Sequence, residues 1–151
     1  MCKRLKVVMN KVVYWLAVAG ILVGWNCVGP EDPTDGLLED LPSVVNTTDV
    51  FTFTLKGNKF SFDESYDLAM KPDSNSVIST SLIVSGWSGN DTSKIFFINS
   101  SDTSYAWLQI LGNMTYTSVD SLTTDTKAHP AKLLFTGTEL TGTIQFSLIK
   151  D

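Results

Sequence analysis

From Val50 onward the chain alternates apolar and polar residues in short runs. Val50 to Lys56 reads VFTFTLK, with Phe51, Phe53 and Leu55 on one face and Thr52, Thr54 and Lys56 on the other. This period of two belongs to a half-buried strand. Gly57-Asn58 follows, a dipeptide suited to a two-residue hairpin turn in which Gly supplies positive φ. Lys59 to Asp63 then resumes the alternation with Phe60 and Phe62. Such a loop would pair Leu55 with Phe60 and Phe53 with Phe62, which puts all the apolar residues on one face.

The same reading gives strands at Val77 to Trp87, with a bend at Gly86, and at Lys94 to Asn99, whose apolar run suggests cover on both faces. Further strands fall at Tyr105 to Leu111 and at Met114 to Val119, the latter an edge. Two more, Leu133 to Thr136 and Gly142 to Ile149, close the domain. Glu64 to Ser76 and Asp120 to Lys132 are polar, hold Pro72 and Pro130, and read as loops. About eight short strands with short turns imply an antiparallel all-β domain. The expected fold is an antiparallel β-sandwich, with a small closed or partly open β-barrel as the alternative.

The first residues follow another pattern. Lys3, Arg4, Lys6 and Lys11 precede Val12 to Trp25, a charge-free apolar run of 14 residues. A basic lead before 7–15 apolar residues is the form of a secretory signal, and a spanning helix needs about 20. Cutting after Ala19 leaves the apolar region too short, and cutting after Gly29 places Pro30 beyond the scissile bond. Cys27 remains. The segment resembles a bacterial lipoprotein signal, in which that Cys becomes the acylated first residue. Gly24, Trp25 and Asn26 depart from the usual residues before such a Cys; an uncleaved N-terminal anchor gives the same topology. The expected organisation is a signal or anchor helix over 1–26, an acidic, Pro-containing tether over 27–48 and a β domain over 49–151. The expected location is the cell envelope, outside the cytoplasm.

Composition sharpens this picture. Beyond Cys27 there are seven basic and sixteen acidic residues, a net charge of −9. An acidic body disfavours nucleic acid and direct contact with anionic lipid. Cys2 and Cys27 are the only cysteines, so the mature domain forms no internal disulfide and depends on its core.

Phe51-x-Phe53-x-Leu55-x-Gly57-x-x-Phe60, Leu82-x-Val84-x-Gly86 and Leu140-Thr141-Gly142-Thr143-Ile144-x-Phe146 are similar to motifs of a group of small Bacteroidota lipoproteins. In that group an N-terminal hairpin and a C-terminal strand bracket a β domain. The resemblance covers roughly Phe51 to Leu148 and implies an architecture without a known activity.

Candidate chemistry is sparse. His129, the only His, has no Cys near it, which argues against a zinc site or a His-based triad. Asp63, Glu64 and Asp67 could offer oxygens to calcium, although their spacing is not that of an EF-hand. Asp102, Asp120, Asp125 and Glu139 read as solvated loop acids. The expectation is a non-catalytic domain without cofactor or metal. Trp87, Tyr105, Trp107 and Tyr116 are the candidate ligand contacts. If Ala106, Leu108 and Ile110 face the core, Tyr105 and Trp107 face outward, where aromatic rings stack on sugars or grip a protein partner. The expected role is therefore binding or assembly, with a small carbohydrate-binding module or a structural subunit of a surface assembly as alternatives. Four Asn-x-Ser/Thr sequons, at Asn46, Asn90, Asn99 and Asn113, point to exposed turns.

Overall fold

The longest elements of the computed structural model are two strands that pair along nearly their whole lengths. The structure describes residues 36–88 and 92–151; the apolar N-terminal run, Cys27 and the sequon at Asn90 lie outside these residues. Seven strands occur: β1 (Ser43–Asn46), β2 (Val50–Asp67), β3 (Val77–Ser85), β4 (Ser93–Ile98), β5 (Ser104–Ile110), β6 (Met114–Ser121) and β7 (Lys132–Lys150). They belong to one compact unit, Thr34–Asp151. Every strand pairing is antiparallel.

β2 and β7 form a shared ribbon whose two halves recruit different neighbours. One half continues through β3 to β6 and carries β1 on its other edge. In the other half the first residues of β7 pair with β4, which pairs with β5. The ribbon is folded over. Phe135 and Phe146 lie eleven positions apart on β7, about 36 Å along a straight strand, yet their ring centroids are 5.5 Å apart. Phe53 stacks on Phe135 at 4.1 Å. The two halves thus face each other across one core, as in a sandwich. Among the described residues β1, β5 and β6 each pair with a single strand, so the sheet does not close into a barrel.

The expected hairpin at Gly57-Asn58 does not form. β2 runs through these residues, and Phe51, Phe53 and Leu55 face Leu148, Phe146 and Ile144 of β7. Alternation placed them correctly on the buried face, but the partner strand is different. Gly57 sits opposite Gly142, and a Cβ on Gly57 would lie 2.7 Å from the Leu140 carbonyl oxygen. This glycine serves close approach rather than a turn. Positive φ falls instead on Lys59 (57°) and Glu139 (49°), beside register slips between Asn58 and Phe60 and between Phe60 and Phe62. Bulges of this kind bend a strand and raise its twist. Two hydroxyls serve displaced backbone donors there: Lys59 N–H donates to Thr141 Oγ1 (3.1 Å) and Glu139 N–H to Ser61 Oγ (3.0 Å). For the same reason the two closing strands read from the sequence are one strand, β7, with its irregular middle at Gly137–Gly142.

Two further boundaries differ from expectation. β2 extends to Asp67 into the stretch read as a loop, held by pairs such as Tyr66 with Leu133. β1 lies within the stretch read as tether. Val44 pairs with Phe53 and packs on the core, and just upstream Asp40 N–H donates to Lys56 O while Asp40 Oδ1 accepts from Asn58 N–H. The bend at Gly86 is present, with φ at 64°.

Candidate functional site

Among the described residues the only cross-strand partner of β6 is β3, so the register between them fixes which of its side chains point inward. Met114, Tyr116, Ser118 and Asp120 oppose Val84, Leu82, Thr80 and Ile78. Side chains of directly paired residues share a face, and the β3 residues are buried. The inward row of β6 is therefore Met114, Tyr116, Ser118 and Asp120, while Val119, 70% exposed, points out. This reverses the usual distribution on a sandwich strand. A carboxylate and a hydroxyl on an inward face would be costly if packed dry. They are accommodated because, among the described residues, β5 and β6 end the two halves of the sheet without pairing to each other, and a cleft of about 380 Å³ opens between them.

Phe97 and Ile78 contribute to the floor of this cleft; Tyr105 and Trp107 come from β5, Tyr116, Ser118 and Asp120 from β6, and Pro130 from the β6–β7 connection. The volume is at the small end of the range for small-molecule sites.

Tyr105 owes its position to an irregularity. Phe97 pairs with Ala106 and Ile98 with Ser104, which leaves Tyr105 as the extra residue of a bulge, a device that re-aims a side chain. Its ring lies 6.3 Å from that of the buried Phe97. Tyr105 was expected to face outward; although 37% exposed, it lies against the cleft. Desolvation, and secondarily the Asp120 carboxylate, push its phenol well above the ordinary tyrosine range. The hydroxyl therefore stays a donor at any physiological pH. Asp120 is oriented by Ser118, whose hydroxyl donates to Asp120 Oδ2 at 3.0 Å. It is the one charged side chain lining the cleft among the described residues.

Three of the four aromatics singled out in the sequence thus meet. Tyr105 and Tyr116 lie in the cleft, and Trp107, 62% exposed, is on its rim. Trp87 is separate: it is half-buried and packs on the core, and its backbone N–H donates to Asn113 Oδ1 at 2.8 Å. Sequence parity turns Trp107 outward, and it is exposed. Parity missed Ser118 and Asp120, although their spacing with Tyr116 at every second residue signalled a mixed face.

The other candidates disperse. Asp63 and Glu64 are adjacent on β2, so they point to opposite faces, and Asp67 lies 3.8 Å from Lys132 Nζ. Among the described residues no group of three or more His, Cys, Asp or Glu side chains is arranged to hold a metal ion. Asp102 pairs with Lys132 at 3.0 Å, Asp125 caps a single 3-10 turn (Thr126–Ala128), and His129 Nε2 lies 2.8 Å from Thr123 O. The sequon residue Asn99 is buried rather than exposed. Its Oδ1 accepts from the Ser101 and Thr103 backbones and its Nδ2 donates to Lys127 O. Asn46 is exposed, as expected, and bridges Asp67 O and Ala69 N–H.

No family model and no curated protein matches the chain. Among solved structures it is similar to the enzymatically active domain of tailspike protein 4 of bacteriophage CBA120, at 13% identity and a TM-score of 0.35. The match covers 72% of this chain and 17% of the tailspike chain, a correspondence too loose to carry fold or activity from one to the other.

Proposed function

We propose that this chain is a membrane-tethered binding module of the cell envelope, and that the cleft between β5 and β6 is where its ligand sits. The single observation that supports the binding role is the inward row Tyr116, Ser118 and Asp120 facing the bulge-directed Tyr105. A strand that only closed a sandwich would carry apolar residues there. The basic lead, the apolar run and Cys27 support export and tethering. Two or three acyl chains, each buried methylene contributing about 0.8 kcal/mol, would hold the domain firmly.

Two measurements test the two halves of this reading. Metabolic labelling with an alkyne fatty acid, followed by fractionation, is expected to place label and protein in the membrane fraction and to lose the label in Cys27→Ser. Label that persists in Cys27→Ser would remove acylation at that residue. A fragment screen by ¹H–¹⁵N spectroscopy is expected to cluster shifts at Tyr105, Tyr116 and Asp120; shifts scattered over the surface, or none, would remove the cleft as a site.

A further inference from the structure

Resting on the cleft as the binding site, we infer that its ligand is a saccharide without negative charge, held with its ring faces against Tyr116 and Tyr105 and its hydroxyls on Asp120 and Ser118. The argument begins with the density of hydrogen-bonding groups. Along β6 a ring, a hydroxyl and a carboxylate follow at every second residue, about 7 Å apart. Thr80, Ser121 and Thr123 add hydroxyls to the lining, and Tyr105 and Tyr116 add phenols. A ligand matched to this lining needs flat apolar faces and several hydroxyls around its edge. A sugar ring has both: its C–H faces pack on aromatic rings, and its hydroxyls both donate and accept.

Asp120 narrows the class further. Ser118 occupies Oδ2, and among the described residues Oδ1 has no hydrogen-bond partner, so that oxygen is open to a ligand hydroxyl. Hydrogen bonds to an ionised carboxylate are stronger than neutral ones. Among the described residues no Lys or Arg lines the cleft, so a uronic or other acidic sugar would bring a second negative charge to a lining that offers no cation to receive it. Neutral and N-acetylated sugars meet no such opposition. A quaternary ammonium ion would use the rings and the carboxylate but would leave the surrounding hydroxyls unmatched.

The experiment uses the full-length chain in lipid nanodiscs on a printed array of neutral, N-acetylated and uronic-acid oligosaccharides, followed by calorimetry on the strongest neutral compound, with choline chloride as a parallel probe. Neutral or N-acetylated sugars should bind, and uronic acids should not. Tyr116→Ala should weaken binding about tenfold through loss of the ring contact. Asp120→Asn, a nearly isosteric change at an exposed position, should weaken neutral sugars about three- to tenfold while narrowing the gap to uronic acids. The near-UV circular dichroism of both variants should match the parent.

Sugar binding unchanged in both variants would overturn the assignment, as would a preference for uronic acids. Choline binding that depends on Tyr116 and Asp120, with no saccharide bound, would replace the sugar with an organic cation. Fragment shifts at the cleft together with an empty array and no choline binding would sink the saccharide and leave the cleft as a site of another class. An absence of both fragment shifts and array binding would sink both.

Discussion

Replacing Gly57 by Ala separates the folded ribbon from a hairpin turn. In a two-residue turn this position would accept Asn readily and Ala at modest cost. In the structure Gly57 lies within β2, and an added Cβ would meet Leu140 O at 2.7 Å and Leu140 Cγ at 2.9 Å. The nearer atom is backbone, so relief requires the β2–β7 ribbon itself to move. Overpacking of this kind costs about 1–3 kcal/mol. Reduced freedom of the unfolded chain returns up to about 1 kcal/mol. The net loss is about 1–2 kcal/mol, or a fall in Tm of about 3–8 °C for a domain of this size. Gly112 is the control: a Cβ there has no neighbour within 4 Å and its φ is not in the left-handed region, so Gly112→Ala should be neutral or stabilising by up to about 1 kcal/mol. Urea titration and thermal melts of Gly57→Ala, Gly57→Asn and Gly112→Ala supply the comparison. A Gly57→Asn protein as stable as the parent, or a Gly57→Ala protein melting at or above it, would refute the close-approach role.

Phe135→Ala, at the stack with Phe53, should cost about 3–5 kcal/mol by urea titration; a cost below about 1 kcal/mol would contradict the packing of the two halves on one another. Ser93 Oγ is buried with no hydrogen-bond partner among the described residues. Ser93→Ala should therefore stabilise by about 1 kcal/mol, and a clear loss in Tm would show that the hydroxyl is satisfied. The phenol of Tyr105 is raised, first by desolvation and then by Asp120. Below about pH 10 both folded and unfolded chains hold its proton; above that the unfolded chain releases it first, so stability falls as pH rises. Tyr105→Phe should flatten this alkaline loss in melts between pH 9 and 11, and an unchanged slope would exclude Tyr105 as its source.

The buried faces were legible in the sequence because alternation needs no knowledge of the partner strand. Phe51, Phe53 and Leu55, and likewise Ile144, Phe146 and Leu148, are buried as their spacing requires. Pairing was not legible. Gly57-Asn58 carries the chemistry of a turn, and only the approach of Leu140 reveals why the glycine is there. Gly137 and Gly142 similarly suggested two strands where one bends. At the cleft, parity located Trp107, but the bulge at Tyr105 exists only relative to β4 and leaves no trace within β5. Asp120 reads as a loop acid because the alternation ends at Val119, whereas β6 runs two residues further, to Ser121, and the pairing of Asp120 with Ile78 turns an exposed carboxylate toward the cleft.

The shared ribbon also sets a clock. Val50 pairs with Ile149, 99 residues later, and strand β7 is the common support of both halves of the sheet. At about 5–20 residues per second, some 5–20 s of synthesis separate the two partners. Through that interval Phe51 and Phe53 have only β1 beside them, and the core between the two halves closes when β7 arrives.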